Sequence, residues 1–101
     1  MDEEISNPTD IVSHLITSKE NGTIIGINSY LLGTTMVRTG IEALIFDNEF
    51  VVVLKPYDIH GYMLPVTRLF LSEIQSVRSF TSKFENPFVA RMNEDRNSLL
   101  A

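Results

Sequence analysis

At Gly22 the hydrophobic rhythm of the chain changes, and that change limits the fold more than any other feature of the sequence. Before it, Ile11, Val12, Leu15 and Ile16 recur at i, i+1, i+4 and i+5, the spacing that draws one apolar stripe along a helix. Asn7 is placed to cap that helix and Pro8 suits its first position, where a missing N–H is no loss. Asp10 follows within reach of the cap, Lys19 favours the C-terminal dipole, and Asn21-Gly22 offers a left-handed stop. A short helix of about two and a half turns is predicted, too marginal to stand alone. It must lie against something.

After Gly22 the period is two. Thr23–Ser29 is predicted as a short strand with Ile25 and Ile27 on one face, and Tyr30-Leu31-Leu32-Gly33 as an apolar connection ending in a turn. Residues 35–46 read as one long strand, Val37, Thr39, Ile41, Ala43 and Ile45 sharing a face, bent at Gly40. Asp47-Asn48-Glu49 is a hairpin signal. Val51-Val52-Val53-Leu54 is an unbroken apolar run, which reads as a central strand covered on both faces. Pro56–Gly61 is a loop, and Tyr62–Leu71 a strand that Pro65 makes peripheral. Ser72-Glu73 turns the chain into a last strand, Ile74–Phe80. The expected fold is mainly β (α+β): an N-terminal helix, then a strongly bent five-stranded antiparallel small barrel, Sm-like or SH3-like. Residues 1–7 are expected as a flexible acidic lead, 8–92 as one domain, and 93–101 as a frayed tail.

Certain chemistries are excluded by composition. No cysteine occurs among the 101 residues, so no disulfide, thiolate zinc site or cysteine nucleophile is available. A chain this short buries about 65% of its unfolded surface, which leaves little for a deep cleft. The net charge of −5 is unevenly placed. Residues 1–22 hold five acids against Lys19, whereas residues 23–92 balance six acids with six bases. Phosphate recognition rests on surplus Lys and Arg, and this chain has none. The acidic start Met1-Asp2-Glu3-Glu4 lacks the basic lead of a secretory signal, and no run is apolar enough to span a bilayer. A cytoplasmic location is expected, with no membrane partner.

The stretch Phe46-Asp47-Asn48-Glu49-Phe50-Val51-Val52-Val53-Leu54-Lys55 resembles the first sequence motif of Sm-like proteins, most closely the bacterial Hfq-type RNA chaperones. The front helix and the closing pair, Leu69–Leu71 then Ile74–Val77, stand in that family's order, so the likeness covers about residues 8–80. It implies a barrel and ring assembly. The Tyr/Phe-Lys-His signature of the bacterial branch is here Phe70-Leu71-Ser72-Glu73, with leucine and serine in place of lysine and histidine. An Arg-Gly pair, the archaeal and eukaryotic counterpart, is absent as well. RNA binding through the family's pore is therefore not implied.

Most of the single polar and charged residues have a plain structural role. His14 lies off the apolar stripe and reads as an exposed helical residue. Asp58 and His60 are two metal-ligand types near one another, where a site needs three or four; they read as turn residues, and no cofactor or metal is expected. Glu42, Asp47, Glu49 and Glu73 are dispersed, whereas acid–base chemistry needs two groups converging on one cleft. Arg68 and Arg78 fall in apolar strands, as edge protection or paired with Glu42 or Glu73. The apolar surplus (Tyr30, Leu31, Leu32, Phe50, Met63, Leu69, Phe84, Phe88, Met92) exceeds what a small barrel holds inside. The expected function is non-enzymatic protein–protein contact, with self-assembly through Met63, Arg68, Leu69, Phe84 and Phe88. The alternative is an Sm-like RNA binder using Arg38, Tyr57, Arg68 and Arg78.

Overall fold

The computed structural model describes residues 3–87. Helix α1 spans Pro8–Asn21. Six strands follow: β1 Thr23–Asn28, β2 Val37–Thr39, β3 Ile41–Phe46, β4 Phe50–Leu54, β5 Arg68–Phe70 and β6 Ser76–Lys83. Single 3₁₀ turns occupy Tyr30–Leu32 and Leu71–Glu73. The strands form two antiparallel sheets, ordered β2-β1-β6 and β3-β4-β5. Phe88 and the expected tail lie outside the described residues. No described helix is long and apolar enough to cross a membrane.

Local chemistry explains the helix. Asn7 Oδ1 accepts from the Thr9 and Asp10 N–H groups at 2.9 and 3.3 Å, and Pro8 occupies the first turn. Asp10 therefore receives the cap through its backbone instead of reaching back with its side chain. Gly22 closes the helix at φ 65°, where its N–H returns to the Lys19 carbonyl. At 14 residues the helix is about four turns, longer than the apolar stripe alone indicated. Ile11 and Leu15 are buried with Ile25, Ile27 and Val77 of the first sheet and Ile41, Val52, Leu54 and Leu69 of the second. One core thus joins the helix to both sheets. Each such side chain contributes about 1.5–3 kcal/mol by leaving water.

The expected long strand over residues 35–46 is two strands in two sheets. Val37–Thr39 pairs with β1, Ile41–Phe46 pairs with β4, and Gly40 is the crossing point. Gly40 has no unusual backbone angle; positive φ occurs at Gly22, Gly33 and Gly61. Its glycine makes room instead, since a Cβ there would lie 2.8 Å from Cγ and 3.0 Å from Cβ of Phe84. The bulge falls just beyond, between Ile41 and Ala43. By adding one residue it resets the alternation, so Leu44 packs on the core where Ala43 and Ile45 were expected to share the face of Ile41.

Two further expectations are corrected. β4 is the central strand of its sheet, but only Val52 and Leu54 are buried, whereas Val51 and Val53 are half-exposed on the outer face. The strand expected over residues 62–71 shrinks to Arg68–Phe70, an edge of the second sheet. Pro65 has no N–H to give a ladder, and the preceding segment folds as a loop in which Met63 bridges Tyr57. The sheets do not close into a continuous barrel, because β5 and β6 do not pair among the described residues.

Gly40→Ala is expected to lower stability by about 1–3 kcal/mol through crowding of Phe84. Urea denaturation checks this, and the loss should be smaller when Phe84→Ala is already present.

Candidate functional site

Register places two arginines on either side of one glycine. Gly26 stands opposite Arg38 of β2 and opposite Arg78 of β6. Because Ile25 and Ile27 point into the core, Gly26 and both arginines belong to the outward face. Met36 and Phe80 close over the glycine, where a Cβ would meet Met36 Sδ at 2.6 Å and Phe80 Cε2 at 2.8 Å. The Arg38 guanidinium lies 5.6 Å from the Phe80 ring centroid, within cation–π range.

Arg78 turns the other way. Its Nη2 donates to Glu4 Oε2 at 2.9 Å, while Glu4 Oε1 accepts from the Ser76 hydroxyl at 2.7 Å. Asn28 Nδ2 donates in turn to Ser76 Oγ at 2.9 Å. The Ser76 hydrogen bond and the Arg78 guanidinium hold the Glu4 carboxyl below its ordinary value of 4.5. Beside Glu4, Ile5 exchanges two backbone hydrogen bonds of 2.9 Å with Val77. Glu4 and Ile5, in the lead expected to be flexible, are thus tied to β6.

The second sheet presents a different surface. On its outer face stand the paired rows Ala43–Val53–Arg68 and Ile45–Val51–Phe70. Phe70 is 46% exposed, and its N–H donates to Glu73 Oε1 at 2.9 Å. Beside this edge a cleft of about 510 Å³ is lined by Pro8, Phe50, Phe70, Leu71 and Ile74, with Glu49 and Ser72 at its polar margin. A second cleft, about 590 Å³, separates residues 3–7 from α1 and contains Asp10 and His14. Burial pushes the His14 imidazole below its usual 6.5, and its Nε2 has no hydrogen-bond partner among the described residues.

The residues singled out from sequence meet different fates. Arg38 and Arg78 come together across Gly26, and Tyr57 lies beside β2, its carbonyl accepting from Thr39 Oγ1 at 2.8 Å. Arg68 is on the other sheet. Of the proposed contact residues, Met63 is 74% exposed and Arg68 is exposed. Leu69 is fully buried opposite Val52, so it belongs to the core and to no surface. Leu32, also counted as surplus, is buried too. Phe84 is half-buried, with Lys55 Nζ 6.0 Å from its ring centroid. Arg78 pairs with Glu4 and not with Glu42 or Glu73; Glu42 instead pairs with Lys55.

Asp58 Oδ1 accepts from the His60 and Tyr62 N–H groups at 2.8 and 2.9 Å, which gives that carboxylate a turn-forming role. Among the described residues no three His, Asp or Glu side chains are grouped to hold a metal. Glu4, Ser76 and Phe80 carry no signal in the sequence, because their partners are remote in the chain and no local spacing announces them. Comparison with known proteins finds no match among family models, curated proteins or solved structures.

Since the folded-state pKa of Glu4 is depressed, its contribution to stability is present above pH 4.5 and is lost as pH falls through the lower folded value. Carboxyl carbon NMR should place the Glu4 midpoint below 4.5, and Ser76→Ala should move it upward. An ordinary midpoint in the unsubstituted protein would contradict the arrangement.

Proposed function

We propose that this protein is a non-enzymatic β-domain that works through protein–protein contact and assembles with further copies of itself at the β5 edge. The observation that carries the reading is the position of β5, which pairs with β4 on one side and ends the order β3-β4-β5. An edge strand presents unpaired main-chain groups to a partner, and alternate side chains give the pairing its selectivity. Around it are exposed apolar groups: Phe70 on the strand, with Tyr62 at 70% and Met63 at 74% in the preceding loop.

The connectivity supports treating the two sheets as halves of one small barrel of Sm-like or SH3-like type. β2 passes into β3 through Gly40, β5 passes into β6 through the 3₁₀ turn Leu71–Glu73, and both sheets share one core. Binding of single-stranded RNA is the second reading. Its support is Arg38 beside the Phe80 ring, a cationic and aromatic combination on which bases stack, with Arg78 across Gly26 as a second cation. It ranks lower because Arg78 is already engaged by Glu4 and the chain is acidic.

Light scattering at high micromolar concentration is expected to give a mass well above the 11.4 kDa of one chain. Arg68→Pro, which removes an edge N–H, should return the protein towards that mass; a monomer throughout would overturn the assembly reading. Salt-sensitive retention of single-stranded RNA by the monomer would favour the second reading instead.

A further inference from the structure

The β5 edge is charged in a self-complementary way. Alternate residues of an antiparallel strand direct their main-chain groups to opposite sides. Leu69 stands opposite Val52, and the Thr67 carbonyl accepts from the Leu54 N–H at 2.7 Å, so residues 67 and 69 serve β4. Arg68 and Phe70 then direct theirs outward. The Phe70 N–H is indeed turned away from β4 and taken up by Glu73 Oε1. That contact also caps the 3₁₀ turn Leu71–Glu73, which is its plain structural role.

We propose that β5 pairs with β5 of a second copy about a two-fold axis at Leu69, and that Glu73 of each copy then meets Arg68 of the other. The inference rests on the self-assembly reading and names its geometry. Antiparallel pairing centred on Leu69 sets Arg68 opposite Phe70 of the second copy, and the symmetry repeats the match. Arg68 and Phe70 are the two residues whose main-chain groups are outward, so both pairs exchange N–H···O bonds while the Leu69 side chains stay in their own cores. The Phe70 N–H leaves Glu73 for the carbonyl of the opposing Arg68. The released carboxylate lies at the place where that arginine arrives. The product is one six-stranded antiparallel sheet, β3-β4-β5 continued by β5-β4-β3 of the second copy.

A charge-swap experiment tests this by sedimentation on the full chain, with circular dichroism confirming that each variant is folded. Arg68→Glu places like charges together twice by symmetry and should weaken dimerisation by about tenfold, and Glu73→Arg should do the same. An equimolar mixture of the two variants restores both opposite-charge contacts and should form heterodimers with close to the original affinity. Should the unsubstituted protein associate while neither variant weakens it, or should mixing fail to restore it, the two-fold geometry is overturned and the self-assembly reading stands. A monomeric unsubstituted protein overturns both. Because Arg68 is exposed, Arg68→Glu leaves the core intact and remains informative even where Glu73→Arg unsettles the 3₁₀ turn.

Discussion

The fold depends on the crossing at Gly40. There the chain leaves the ladder of one sheet and enters the other within a single residue, between Thr39 and Ile41, both buried. Phe84, which follows β6, packs where a side chain at position 40 would stand. The crossing thus ties together the middle of the chain and the end of its last strand. Without it, β2 and β3 would continue as one strand. Ile25 and Ile27 would then have no reason to face Val52, Leu54 and Leu69 across a common core.

From that shared core the outer surfaces follow. Once Ile25, Ile27, Thr39 and Val77 point inward, the residues between them have to point out. Gly26, Arg38 and Arg78 are therefore neighbours by register. Glu4 completes the group from a segment more than seventy residues away in sequence from Arg78. On the second sheet the same logic, shifted by the bulge before Ala43, turns Ile45, Val51, Val53 and Phe70 outward. The apolar surplus in the sequence is partly resolved by this. Leu32 and Leu69 belong to the core, whereas Tyr30 and Met63 remain exposed.

The edges are where structure and proposed function meet. β6 carries a short cover, in which Ile5 occupies the main-chain groups of Val77. β5 carries a single carboxylate contact at Phe70. Edge strands are commonly blunted by such means, and of these two edges β5 has the lighter guard. A hydrogen bond to a carboxylate is worth about 1.5–3 kcal/mol net, an amount that two strand hydrogen bonds together with a new opposite-charge contact can offset.

The sequence by itself determined the local elements. The Asn7-Pro8 start and the Gly22 stop of α1, the 47–49 hairpin and the order of helix before strands are all set by neighbours in the chain, through capping, turn chemistry and period. It also marked Gly40 as the point of bending. Only the tertiary structure decided that this bend separates two sheets, that Leu69 is core, and that Arg78 answers to Glu4. Those outcomes depend on a one-residue register shift and on contacts between remote segments. A bulge reverses every side chain beyond it, and an ion pair across the fold leaves no periodic trace, so neither is legible from spacing along the chain.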